Sequence, residues 1–105
     1  MKPEFENIEL IENTAESRFE LPFNGHIAFI TYEQEGNALA LTHTIAPDEL
    51  KGTGAAQALV EKVFAKVEAS GKKIHPYCPY IFAYIRKHPE WKRLVDPAFS
   101  GYNGL

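Results

Sequence analysis

The chain carries a single cysteine, Cys78, inside the run His75-Pro76-Tyr77-Cys78-Pro79-Tyr80. A cysteine acts chemically as its thiolate, so a nucleophilic role needs a neighbour that lowers the thiol pKa, such as a helix N-terminus. Pro79 fits the first turn of a helix, where its missing N–H costs nothing, so Cys78 is predicted at such a start. The rival reading is packing, because free cysteines are among the most buried residues and are usually inert. His75-x-x-Cys78 has the spacing of half a zinc site, but no second pair follows it, and no metal is expected.

Three other groups have chemistry-bearing residue types. His43 stands in Ala38–Ile45 (ALALTHTI), where strict alternation puts Leu39, Leu41, His43 and Ile45 on one face and Ala38, Ala40, Thr42 and Thr44 on the other. Imidazole titrates near neutral pH, so His43 could take a proton from an attacking amine. A core histidine satisfied by carbonyl oxygens is the alternative. The loop Lys51-Gly52-Thr53-Gly54-Ala55-Ala56 precedes a helical pattern, and a glycine-rich helix start offers unpaired N–H groups and a positive dipole end to an anion. It is neither a Walker A loop nor GxGxxG, and the plain alternative is a flexible lead into the helix. Tyr80 and Tyr84 fall one turn apart and share a face, as proton donors or as an aromatic core stripe. His26 and His88 read as surface or capping residues, and Trp91 as packing.

These residues need elements to position them. At 105 residues the chain is long enough for one core, and it is read as one domain, 1–105. Strand patterns cover Phe5–Ile11, Arg18–Leu21, His26–Glu33 and Ala38–Ile45, with Asn24-Gly25 as a hairpin turn and Gln34–Asn37 as a second turn. From Ala55 to Ser70 the apolar residues Ala56, Leu59, Val60, Val63, Phe64 and Val67 recur at helical spacing, and Gly71 stops the helix. Lys72–Tyr77 is predicted as a strand and Pro79–Lys87 as a helix limited by Pro89. The tail, Asp96–Leu105, carries Gly101 and Gly104 and is expected to pack poorly. The fold class is therefore α+β, in the order β-β-β-β-α-β-α with a mostly antiparallel mixed sheet. A net charge of -3 gives no basic field for nucleic acid, and the acidic start MKPEFENIEL is neither a signal peptide nor a membrane anchor. One cysteine precludes an internal disulfide, so a cytoplasmic protein without membrane or nucleic-acid partners is expected, a monomer or a weak homodimer pairing through an exposed edge strand.

The motif Lys51-x-x-Gly54-x-Ala56 resembles the pyrophosphate loop of the GNAT superfamily of acyl-CoA-dependent N-acetyltransferases, with lysine where glutamine or arginine is usual. RFEL at 18–21, LTHTIAPDELKGTGAAQALV at 41–60, IHPYCPYIFAYI at 74–85 and RKHPEW at 86–91 resemble its small single-domain YjdJ-type subfamily. The resemblance implies a sheet splayed between strands 4 and 5, with acetyl-CoA or coenzyme A in the cleft. It implies pyrophosphate at Lys51, Gly52, Thr53, Gly54, Ala55 and Ala56, with N–H donors from Thr53 to Ala56 and the Thr53 hydroxyl added. Pantetheine would run beside Thr44, Ile45 and Ala46, with the thioester near His43, Thr44, Tyr77 and Cys78. Cys78 belongs to the resembled signature, as acyl-accepting nucleophile or as a contact forming a mixed disulfide with the coenzyme sulfur. Tyr84 sits nearest the family's tyrosine that protonates the departing thiolate, although His88-Pro89 replaces the Gly-Phe pair that usually follows. The expected function is transfer of an acyl group from acetyl-CoA to an unidentified amine, with Cys78, His43 and Tyr84 as catalytic candidates. The alternative is a coenzyme A-binding or protein-interaction module without turnover.

Overall fold

A computed structural model describes residues 1–105. The elements are α1 (Pro3–Glu6), β1 (Ile11–Asn13), β2 (Arg18–Phe23), β3 (His26–Glu35), β4 (Ala38–Ile45), α2 (Ala55–Ser70), β5 (Lys73–Pro76) and α3 (Pro79–Lys87). Short 3-10 turns follow at Asp48–Leu50, Pro89–Leu94 and Tyr102–Gly104. The five strands form one sheet in the order β1-β2-β3-β4-β5, antiparallel except for the parallel β4–β5 pair.

The local signals are used as their chemistry predicts. Asn24 (φ 51) and Gly25 (φ 79) both take positive φ between the paired Phe23 and His26, as a two-residue primed turn requires. Gly71 ends α2 at φ 79, a conformation in which any Cβ is strained. Both long helices cover one face of the sheet. Leu59, Val60, Val63 and Phe64 of α2 meet Ile81, Tyr84 and Ile85 of α3 over Phe19, Leu21, Ile30, Leu41 and Ile74 from the strands, in one core cluster. Each fully buried large apolar side chain there contributes about 1.5–3 kcal/mol. The opposite face has no helix over it, and Ile11, Ile27 and Ile45 stay exposed there.

Two expectations for the chain ends are corrected. Phe5 lies not in a strand but in α1, fully buried with its ring 4.5 Å from that of Phe23, and pairing begins only at Ile11. Pro3 at the first turn and the acidic Glu4 and Glu6 suit a helix start. The tail is tied down at a few points: Phe99 is buried, Tyr102 and Leu105 pack partly against the core, and the Asp96 N–H donates to the Ile74 carbonyl at 3.1 Å, just after Val95, which bridges Ile74 in parallel. The outer edge of β5 otherwise has unpaired backbone groups, and the apolar residues of the tail cover it.

The third correction concerns β4. Thr31 pairs with His43 but Tyr32 pairs with Leu41, so Thr42 is an extra residue, a β-bulge. Cross-strand partners share a face, and Ile30 in the core pairs with Thr44 while outward Phe29 pairs with Ile45. The bulge therefore reverses the alternation: Thr44 joins Leu39 and Leu41 on the helix side, and His43 and Ile45 turn to the open side. Thr42 secures the bulge through Thr31, with the two hydroxyls 2.6 Å apart.

Phe64, fully buried at the junction of α2, α3 and the sheet, anchors this core. Phe64→Ala is expected to destabilise the protein by about 3–5 kcal/mol, read as a lowered urea midpoint with an unchanged transition slope.

Candidate functional site

The β4–β5 ladder runs from Ala38–Lys73 to Leu41–Pro76 and stops. Pro76 has no N–H to continue it. The Tyr77 N–H turns back to the His75 carbonyl at 2.9 Å, and the Cys78 N–H makes a last link to the Leu41 carbonyl at 3.0 Å. Beyond that link Thr42–Ile45 continue as β4 with partners on β3 only. The sheet opens there, with Thr44, Ile45 and Ala46 on one wall and Tyr77 and Cys78 on the other. Cys78 is 4% exposed, immediately before Pro79 at the start of α3, and its Sγ lies 3.4 Å from the Thr44 hydroxyl across the opening. The bulge brings Thr44 to that sulfur.

The loop before α2 has a different donor set from the one expected. The Thr53 N–H and hydroxyl both donate to the Leu50 carbonyl, at 3.2 and 2.6 Å, and the Ala55 N–H donates to Thr53 Oγ1 at 3.2 Å. Those groups are committed to shaping the turn. The N–H groups of Gly54, Ala56 and Gln57 find no acceptor in the chain. Gly52 (φ 76) faces open space, and Gly54 (φ 89) meets only the flexible side chain of Lys2, which donates to the Thr53 carbonyl at 3.1 Å. Lys51 is exposed and pairs with Asp48 at 3.3 Å. Three free N–H groups, open glycines and an overlying ammonium fit a phosphate-bearing ligand. Sequence reasoning missed Lys2, which reaches the loop from 51 residues away, and Gln57, which counting the unpaired N–H groups of the first turn would have found.

Tyr84 is buried between the two helices. Its hydroxyl donates to Glu61 Oε1 at 2.6 Å, and its ring lies 5.9 Å from Phe64 and 4.4 Å from His88. Burial, then the Glu61 acceptor and its charge, hold the Tyr84 phenol far above its ordinary pKa. Burial alone would raise Glu61, but bonds from Tyr84 and Gln57 outweigh it and lower the carboxyl. Tyr80, exposed one turn earlier, is raised by partial burial and then by the charges of Cys78 and Glu61. Gln57, Tyr80, Tyr84 and His88 line a hollow of about 330 Å³ between α2 and α3.

His43 and Cys78 are not brought together. His43 is exposed on the helix-free face, in a shallow polar trough with Glu16, Thr31, Glu33 and Thr42. His75 also turns away from Cys78, toward Glu35 and Asp96.

A five-stranded mixed sheet whose single parallel pair opens beyond Leu41 and Pro76 is a GNAT-like fold. The chain belongs to the GCN5-related N-acetyl-transferase family, whose pattern matches residues 18–94, well over half of its length. No curated protein matches the chain. Members of the family generally use acetyl-CoA. No helix is long and apolar enough to cross a membrane.

Tyr84 should ionise at higher pH than an ordinary phenol. In an ultraviolet titration of the five tyrosines, Tyr84→Phe is expected to remove the most alkaline component, and loss of an ordinary component near pH 10 instead would contradict the Glu61 pairing.

Proposed function

We propose that this protein is an N-acetyltransferase that takes acetyl-CoA as donor and an amine as acceptor. One observation carries the reading: the β4–β5 ladder ends in an open strand edge next to a buried sulfur, and the start of α2 keeps three N–H groups without an acceptor. The N–H groups of Gly54, Ala56 and Gln57 would hold the pyrophosphate, with Lys2 and Lys51 as charged neighbours on the Gly52–Ala55 turn. The open edge of Thr44, Ile45 and Ala46 would pair with the amide-bearing arm of the coenzyme, and Tyr77 would line the opposite wall. Acetyl-CoA supplies an acyl group activated as a thioester.

Cys78 is our candidate to receive that acyl group, its sulfur forming a new thioester as the coenzyme A thiolate leaves. Pro79 opens α3 at the next residue, and the Thr44 hydroxyl, 3.4 Å away, is close enough to orient the sulfur. Free N–H groups of the β4 edge would stabilise the developing oxyanion. His43 faces the helix-free side, where an amine could approach without crossing the two helices, and acts there as general base toward that amine. Tyr84 is less suited to the acid role than its sequence position implies. Its proton is engaged by Glu61, and so weak an acid gives little driving force for protonating a thiolate.

A second reading, a coenzyme A-binding module without turnover, is favoured by the same two facts: His43 and Cys78 face opposite sides, and the Tyr84 proton is tied up. Acetyl-CoA at about 100 times its dissociation constant is expected to stabilise the protein by about 2.7 kcal/mol in thermal melting. Cys78→Ala should keep that stabilisation and lose transfer to a panel of amines, and intact-mass analysis of the wild type should find one acetyl group on Cys78. Full transfer by Cys78→Ala would remove the cysteine step, and binding without any product would establish the module.

A further inference from the structure

On the helix-free side of the sheet, His75 is held between two carboxylates from distant segments. Its Nδ1 lies 2.5 Å from Glu35 Oε1 at the end of β3, and its Nε2 lies 2.9 Å from Asp96 Oδ2 in the C-terminal segment. A neutral imidazole has one N–H, so it can satisfy one of these contacts and turns a lone pair toward the other carboxylate. Both contacts are attractive only when the ring carries both protons. The arrangement requires an imidazolium.

The surroundings are built for it. Between β3 and β5 the intervening strand presents only Ala38 and Ala40, both buried, so His75 reaches Glu35 over two methyl groups. The Phe99 ring stacks on the imidazole at 5.7 Å and 21°. The Tyr77 hydroxyl donates to the same Glu35 oxygen at 3.0 Å. Asp96 is fixed in turn by the Ala98 N–H at 2.9 Å and by its own N–H on the Ile74 carbonyl. Glu35 therefore holds both His75 and Tyr77, and the next residue is Cys78.

We propose that Glu35, His75 and Asp96 form an imidazolium clamp that sets the end of β5, and with it Cys78, and that the clamp loosens when His75 loses one proton. The consequence for acyl transfer rests on the function proposed above; the clamp itself does not. Glu35, Asp96 and Tyr77 are the titratable groups touching the ring from β3, the C-terminal segment and β5; Glu33 of β3 shares the face level with His75 across Ala40, β4 contributes none, and Lys73 lies nearby with its ammonium on the Arg93 carbonyl. Burial alone would depress the His75 pKa, but the bonds to Glu35 and Asp96 and their charges outweigh it and raise the value above 6.5. Glu35 and Asp96 are lowered from 4.5 and 3.8, in each case chiefly by the bond from His75. A raised histidine contributes fully below its ordinary value and is lost as pH rises through its folded value; lowered carboxylates contribute above their ordinary values and are lost as pH falls. The clamp is complete in mildly acidic solution and opens on the alkaline side.

The test is an NMR titration of the wild-type protein without coenzyme or acceptor, over about pH 5 to about pH 9, which brackets ordinary imidazole. The His75 ring should titrate above 6.5, and the amide signals of Tyr77, Cys78 and Ala98 should move with the same midpoint. Asp96→Asn and Glu35→Gln should each lower that midpoint. His75→Gln should leave the Cys78 amide insensitive to pH and near its alkaline position. A His75 midpoint at or below the ordinary value, or Tyr77 and Cys78 amides unmoved through it, overturns the proposal. The wild-type titration decides this even if a variant fails to fold, and a failure of acetyl transfer leaves it untouched.

Discussion

The molecule is organised by the point at which two parallel strands stop pairing. Pro76 ends the β5 ladder because it has no N–H, and the Thr42 bulge turns β4 just beyond the last shared pair. Cys78 closes the seam with one bond to the Leu41 carbonyl, and α3 starts at the next residue. Everything distinctive about the site follows from that interruption: an open strand edge, a sulfur beside a hydroxyl, and a helix start on each side of the gap.

The groups around the gap divide into those spent on structure and those left over. The Thr53 hydroxyl, the Thr53 N–H and the Ala55 N–H are consumed in making the turn before α2, which leaves the next donors facing outward. Burial of Tyr84 against Phe64 obliges its hydroxyl to find an acceptor, and Glu61 of α2 supplies it. The bond joins the two helices and engages the phenol proton. Stability and chemistry compete for the same polar atoms, and here the packing requirement takes precedence.

The sheet is asymmetric. One face is dry and carries the core; the other is covered only near β5, where Phe99, His75 and Tyr77 lie over two alanines. With helices on one side alone, the chain exposes the acidic and apolar residues of β1–β4, including His43 in its polar trough, to whatever approaches from that side.

The sequence determined what depends on neighbours along the chain. The bounds of α2 and α3, the Asn24-Gly25 turn and the glycine loop were legible because proline, glycine and helical periodicity act over a few residues. The alternation of β4 was legible only as far as Leu41, since a bulge is a mismatch with another strand and leaves no signature in ALALTHTI. The anchoring of the tail was hidden for the same reason: Val95 and Phe99 look like loop residues until the bare edge of β5 and the His75 ring are beside them. Glu61, Glu35, Asp96 and Lys2 carried no motif, and each gained its part from a partner 20 or more residues away. Tertiary structure decided which side His43 faces, what Tyr84 does with its proton and why His75 turns from Cys78, because hydrogen-bond register and burial are set between segments and not within them.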